Sequence, residues 1–307
     1  MRIDFFKGLY DVMLRDRQAV VLTADTGATV LDGMHEDVKA RFINAGIAEA
    51  NMTGVAAGLA SCGKIVFMYG IIPFVTLRNY EHFRVDVIFQ NLNVKAVGVG
   101  AGMDYSTLGP THHAYEDIAV MRALPGITIL SPSDRNMARD FAKLAYETPG
   151  PVYVRLDRFG EPVLYPFPGG PYRDGLNFLK KGDGRLCIMA TGKMVSSALK
   201  VAELLEARTA LKPDVIDLYR VKPLNEKLLL RELGAAANVV TIEEHSIIGG
   251  IGSAVAEFVV DHGLRCGVTR FGLPDCYCKQ YGPHAYLHGQ VGLSVDQITA
   301  KIQKRIC

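Results

Sequence analysis

The stretch KIVFMYGIIPFVTLRNYEHFRVDVIFQNLNVKAVGVG (residues 64–100) decides the fold. It opens on a nearly unbroken apolar run at 64–69 and closes on another at 94–99. Neither run alternates apolar with polar residues, so each reads as a strand covered on both faces. Between them, apolar residues recur at helical spacing and predict one helix over about 75–89. Strand, helix and strand in this order form the crossover unit of a parallel sheet.

The same rhythm extends both ways along the 307-residue chain. Upstream, 19–24 (AVVLTA) reads as a buried strand and 46–61 as a helix of small residues. Downstream, strands at 127–130 and 152–156 alternate with helices near 114–123 and 134–146. Residues 159–184 are then dense in Gly and Pro (FGEPVLYPFPGGPYRDG, 159–175), which is linker composition. Beyond them strands at 186–191, 214–219, 238–243 and 267–271 alternate with helices at 194–207, 225–235 and 250–263. A last helix spans about 294–305, with Ser294 as its N-cap. The expected architecture is α/β: two doubly wound, mostly parallel-sheet domains at 1–165 and 186–307, joined by a linker at 166–185.

Composition narrows the function. A net charge of +2 gives no basic face for nucleic acid or an anionic membrane. No apolar run approaches the roughly 18 residues of a membrane span. The first twenty residues mix charges into a helical pattern and lack a signal-peptide core, so a cytoplasmic protein is expected. Six cysteines in a chain of this size read as free thiols. Cys276, Cys278, His284 and His288 have a spacing that faintly suggests zinc, but the cysteine pair is tighter than a zinc knuckle. Packing and loop roles are the better reading, and no metal ligand is assigned.

In parallel α/β sheets, functional groups lie beyond the carboxyl ends of the strands. Those positions hold Asp25, Glu49, Phe74, the loop GAGMDYSTLGPTHHAYED (100–117) with Tyr105, Thr111, His112 and His113, and finally Arg155 and Arg158. Glu49 begins a helix whose next turns are nearly all small residues, where a flat ligand can approach. It reads equally well as an ordinary acidic residue at a helix N-terminus. Adjacent histidines before a helix are discouraged from protonation and suit neutral donors or an acid/base pair, while Thr111 is a candidate helix cap. Gly98-Val-Gly100-Ala-Gly102 and Gly249-Gly250-Ile-Gly252 are too short for a dinucleotide fingerprint.

In order along the chain, RFINAGIAEANMTGVAAGLA (41–60), NLNVKAVGVGAG (91–102), GPTHHAYEDIAVMRALPGITILSPSD (109–134), CIMATGKMVSSALKVAELL (187–205), VIDLYRVKPLNEKLL (215–229) and VVTIEEHSIIGGIGSAVAE (239–257) resemble the transketolase family. The first domain is similar to its pyrimidine-binding domain and the second to its C-terminal domain. The resemblance implies that Glu49 is the catalytic glutamate that hydrogen-bonds the pyrimidine ring of thiamine diphosphate. It implies that Phe74, Leu77 and Tyr80 form the cradle stacking on that ring, with Asp25 near the cofactor. His112 then matches the histidine that reaches substrate hydroxyls and shuttles protons, with His113 beside it.

Three positions depart from the family pattern. Leu77 replaces an aromatic residue, Leu108 an aspartate that contacts a substrate hydroxyl, and Gly100 a phosphate-facing histidine. Arg158 or Arg155 is left to contact a substrate anion, and a deoxy, branched or otherwise altered sugar is implied. Gly182-Asp183-Gly184 resembles the start of the family's diphosphate and metal motif, but no Asn follows in the required window and the stretch reads as a turn. The diphosphate and Mg2+ are therefore expected on an N-terminal transketolase subunit, paired with this one in a dimer of heterodimers. The rivals are the beta subunit of a 2-oxo-acid dehydrogenase, a synthase condensing pyruvate with an aldose phosphate, and a non-catalytic scaffold.

Overall fold

The computed structural model describes residues 1–26, 34–159, 162–170 and 172–306. The linker positions Gly160, Glu161 and Pro171 and the last cysteine, Cys307, lie outside the described residues. Helix α1 (Arg2–Arg15) precedes β1 (Ala19–Thr23), and the short α2 (Glu36–Lys39) and β2 (Phe42–Asn44) lead to α3 (Glu49–Ser61). β3 (Ile65–Ile71) runs directly into α4 (Ile72–Thr76), followed by α5 (Tyr80–His82) and a π-helical turn at Phe83–Ile88. β4 (Val94–Val99), α6 (Asp117–Ala123), β5 (Thr128–Leu130), α7 (Arg135–Glu147) and β6 (Val152–Leu156) complete the first half. The second half holds β7 (Asn177–Lys180), β8 (Leu186–Ala190), α8 (Met194–Arg208), β9 (Asp214–Asp217), β10 (Arg220–Lys222) and α9 (Glu226–Leu233). It ends with β11 (Asn238–Ser246), α10 (Ile251–Asp261), β12 (Gly267–Leu273), α11 (His284–Gln290) and α12 (Val295–Ile306).

Two mostly parallel sheets result, as expected for an α/β chain. The first has the order β10-β5-β6-β4-β3-β1-β2 and the second β12-β11-β8-β9-β7. Among the strands of the described residues only β10 and β7 pair antiparallel, each at a sheet edge. The unbroken apolar runs work as their reading requires. Val66 and Met68 of β3 enter one core with Met52, Ala56 and Ala60 of α3, whereas Phe67 and Tyr69 enter another with Phe5, Leu9 and Phe141 of α1 and α7. Successive strand residues point to opposite faces, so both faces need an apolar residue. The α3-side core continues into Met189, Ile216 and Val239 of the second sheet, which joins the two halves.

Three expectations change. The helix expected over 75–89 is interrupted: Pro73 starts it early, the amides of Leu77 and Arg78 both turn back to the Pro73 carbonyl, and a bend at 77–79 follows. Residues 177–180, inside the expected linker, form the edge strand β7 on β9. The strand expected over 214–219 stops at Asp217, and the chain crosses to the first sheet, where β10 pairs with β5. Lys222 secures that crossing by donating to the carbonyls of Arg122 and Leu124, each at 2.6 Å. No helix among the described residues is long and apolar enough to cross a membrane.

Candidate active site

Glu49 is the first residue of α3 and is buried, 4 % exposed. Its partner among the described side chains is Arg78, whose Nη1 donates to both carboxylate oxygens at 3.0 Å. Arg78 is itself 48 % exposed. The bend at 77–79 makes this contact: it turns Arg78 back over the Phe74 ring, 4.3 Å from the centroid, while the Asn79 amide is pinned to Thr53 of α3 at 2.7 Å. Phe74 in turn meets the His112 ring edge-on at 5.5 Å, and His112 lies 5.9 Å from the Tyr105 ring. The guanidinium of Arg158 covers Tyr105 at 4.6 Å. Glu49, Arg78, Phe74, His112, Tyr105 and Arg158 therefore form one continuous line beyond the carboxyl ends of β3, β4 and β6.

The loop after β4 owes its path to glycine. Gly100 has φ +92°, and a Cβ there would fall 2.1 Å from the Tyr105 ring. Tyr105 thus fills the space that a side chain at position 100 would take, and burial raises its phenol above the ordinary value. The buried Asp104 fastens the loop by accepting from the Arg158 amide at 2.7 Å and from Lys193. Thr111 does not cap a helix, because α6 begins only at Asp117; its hydroxyl instead meets His112 Nδ1 at 2.9 Å. Leu108 stands at the surface, 49 % exposed.

The remaining expected residues are placed differently. His113 is buried and stacks on Tyr115 at 5.8 Å with neither ring nitrogen in a well-formed hydrogen bond. Burial lowers its pKa and favours the neutral ring. Arg155 is not brought to the surface of the site. Its guanidinium is buried and committed to Asp117, with Nε to Oδ2 at 2.7 Å, and to the Glu244 carbonyl at 2.9 Å. Tyr80 packs into the core and donates its hydroxyl to the Val120 carbonyl at 2.8 Å, so the interrupted helix leaves Phe74 and the exposed Leu77 without it. Asp25 is exposed at φ +55° and exchanges hydrogen bonds with Asn44 at 2.9 and 3.1 Å.

A second polar cluster joins the two halves. Glu244, at 2 % exposure, accepts from the Met103 amide at 2.6 Å and from His284 Nε2 at 2.8 Å; His288 Nε2 lies 2.9 Å and Lys193 Nζ 3.4 Å from its carboxylate. Burial alone would raise its pKa, but Lys193 and the two histidines hold it well below the usual carboxylate range. The cysteines considered beside these histidines take no part: Cys276 is exposed, and buried Cys278 bonds Gln280 and the Tyr115 hydroxyl. Sequence reasoning missed Arg78, Asp104, Lys193 and Glu244. Arg78 owes its place to the bend after α4, which leaves no periodic signal.

Residues 5–159 match the model of the transketolase pyrimidine-binding domain, and 176–298 match that of the transketolase C-terminal domain. The chain belongs to the transketolase family. It is 33 % identical to a putative transketolase C-terminal section of Methanocaldococcus jannaschii, covering 100 % of this chain and 96 % of the relative. It is 36 % identical to the 6-deoxy-6-sulfo-D-fructose transketolase subunit SqwH of a Clostridium strain, over 94 % of this chain and 89 % of the relative. A solved split-gene transketolase, described as an inactive β4 tetramer, superposes with a TM-score of 0.89 at 34 % identity and covers 99 % of this chain and 97 % of that one.

Membership implies dependence on thiamine diphosphate, and this transketolase chain has residues that fit one end of it. Glu49 is a buried carboxylate with a half-exposed, displaceable partner, and the half-buried Phe74 ring lies beside it. On α3, a Cβ at Gly54 or Gly58 would meet nothing within 4 Å, so a surface of this helix is open.

Proposed function

We propose that this chain is the C-terminal subunit of a transketolase that transfers a two-carbon ketol unit between sugars, working in the cytoplasm with an N-terminal-type subunit. The observation that carries the reading is Glu49: a buried carboxylate at the head of an open helix, held by one arginine that solvent already reaches. A buried carboxylate is costly unless a partner repays its desolvation. A pyrimidine ring nitrogen is such a partner, through a short charge-assisted hydrogen bond. When bound, thiamine diphosphate supplies the electron sink for carbon–carbon cleavage. Phe74 and Leu77 would carry the ring, and Asp25 would lie nearer the cofactor than to the sugar. His112 would hold and move the proton of a sugar hydroxyl, helped by Thr111 on its Nδ1. The exposed Arg158, in place of the committed Arg155, would receive its anionic group, and the buried His113 would brace the loop through its stack on Tyr115.

Diphosphate and Mg2+ would come from the partner subunit. Exposed apolar side chains on and beside α3 and the following helical segment support a covering chain: Ile47, Val55, Leu77, Val85 and Phe89, the last 87 % exposed. The solved relative described as an inactive tetramer of one subunit type agrees with a chain that needs a second polypeptide, and we propose a dimer of heterodimers.

Leu108 and the Tyr105-filled space at Gly100 support a modified donor or acceptor, and SqwH is named for a sulfonated deoxy sugar. The test is reconstitution with an N-terminal-type subunit, thiamine diphosphate and Mg2+, followed by a panel of plain, deoxy, branched and sulfonated ketoses. Ketol transfer from a modified ketose is the expected result. Turnover only with pyruvate and an aldose phosphate would replace the reading with a condensing synthase. Acyl transfer from a 2-oxo acid to a lipoyl group would replace it with a dehydrogenase subunit, and no turnover with any donor would favour a scaffold.

A further inference from the structure

Three side chains outside the line through Glu49 converge at the junction of the two halves. His284 and His288 stand four residues apart on α11, which places both imidazoles on one helical face, their ring centroids 4.1 Å apart. Both Nε2 atoms point toward Glu244 at the end of β11, and one ligand atom from each of the three residues lies within 4.8 Å of the others. Glu244 and His288 are buried, and His284 leaves the group open to solvent on one side.

We propose that Glu244, His284 and His288 form a binding site for a late first-row divalent cation, zinc above all. Two imidazole nitrogens and one carboxylate oxygen are a borderline donor set that suits such an ion, with a fourth position left for water. Two features point to a ligand. His288 Nε2 is buried 2.9 Å from Glu244 Oε2 yet has no hydrogen bond to it, so the two atoms are close without being aligned. Donor atoms that converge on a shared point, instead of on each other, have this arrangement. Charge is the second feature. The neighbouring carboxylates of Asp104, Asp157 and Glu244 are in ion-pair contact with one shared ammonium, Lys193. With neutral histidines the cluster holds more negative charge than Lys193 offsets. Two protonated imidazoles with centroids 4.1 Å apart would repel each other, whereas one divalent ion neutralises the surplus and uses both rings as lone-pair donors.

The ligand atoms need only a small adjustment. Around a tetrahedral ion with bonds of about 2.0–2.2 Å, ligand atoms stand roughly 3.3–3.5 Å apart. Glu244 now lies 2.8–3.0 Å from the two Nε2 atoms, so each contact opens by a few tenths of an ångström. The position gives the ion a role distinct from the partner-held Mg2+ at the diphosphate. Glu244 accepts from the Met103 amide, and a Cβ at Gly102 would lie 2.4 Å from Glu244 Cγ, so this carboxylate is packed against the loop that carries His112. A bound ion would fasten that loop to α11 and β11.

The test uses the full chain freed of metal with a chelator and titrated with zinc chloride alone, the bound ion read by competition with a chromophoric chelator. The wild type should bind one equivalent and gain in thermal midpoint, as any ligand specific for the folded state requires. His284→Gln and His288→Gln should each lower the affinity at least 100-fold while circular dichroism shows the fold retained, and a Cys276→Ser/Cys278→Ser variant should bind as the wild type does. Should a histidine variant unfold, Co2+ substitution in the wild type decides: a tetrahedral d–d spectrum without a thiolate charge-transfer band supports the site. Wild-type affinity in the histidine variants, loss of binding in the cysteine variant, a thiolate band, or no binding by the wild type would each overturn the proposal.

Discussion

Two buried glutamates, Glu49 and Glu244, are almost equally hidden from water and differently furnished. Glu244 is surrounded by Met103, Lys193, His284 and His288, all from its own chain. Glu49 is held by Arg78, a side chain half in solvent. The first carboxylate is held on every side by groups of its own fold, although its cluster shares one ammonium, Lys193, among three carboxylates. The second is provisional: the protein bears the desolvation of a carboxylate at a point where its own groups only partly offset it. A carboxylate held this loosely is fitted to receive a group from outside, whereas the other holds the two halves together.

That contrast breaks most visibly in turnover. Glu49→Gln keeps the shape and removes the charge. In the reconstituted complex it should lower turnover by about 10³-fold or more, while stability moves by less than about 1 kcal/mol. A steady-state assay beside a thermal melt checks both. Glu244→Ala should do the reverse in kind. Removing one member of a buried charge cluster strands the others, and a loss of about 3–5 kcal/mol is expected in chemical unfolding.

Lys95 sharpens the comparison from the other end of the first sheet, as a buried charge with no counter-ion among the described residues. Its ammonium donates to the carbonyls of Thr148 and Gly150, and burial brings its pKa down to about 7. Between about pH 7 and the ordinary lysine value of 10.5, the unfolded chain carries a proton that the folded chain lacks. Stability should therefore rise with pH across that window, by on the order of a few kcal/mol. Denaturant melts at several pH values should show the slope, and Lys95→Met should flatten it.

Smaller effects test the provisional partner itself. Arg78→Met should cost about 1–2 kcal/mol in the isolated chain, because Glu49 then stays buried and unpaired. It should leave most of the turnover of the complex intact; a collapse like that of Glu49→Gln would make Arg78 part of the machinery. The smallest change is expected from Leu108→Asp. It lies half in solvent, so stability should hardly move, while relative kcat/KM should shift toward ordinary sugar phosphates by about tenfold, ~1.4 kcal/mol.

Much of the fold was legible because β3, β4 and β6 are apolar on both faces, a pattern that only a doubly covered strand requires. β10 was not, since three residues with Arg220 and Lys222 at their ends carry no periodic signal and owe their place to the crossing they complete. The interrupted helix hid behind continuous helical spacing, and Pro73 was the overlooked warning. At the candidate site, Glu49, Phe74 and His112 could be singled out because each follows a strand or opens a helix. The Glu244 cluster draws on residues 103, 104, 157, 193, 284 and 288, which only tertiary structure brings together. Arg155 was misread for a related reason: its position at the end of β6 gives no sign that Asp117 lies opposite.

The most direct test of the central claim is calorimetric binding of thiamine diphosphate with Mg2+, first to this chain alone and then to its mixture with an N-terminal-type subunit. The account predicts tight binding in the mixture and little or none to the chain alone, because Glu49 and Phe74 would hold only the pyrimidine end. Tight binding to the chain alone would contradict it, since the diphosphate grip would then lie within these 307 residues.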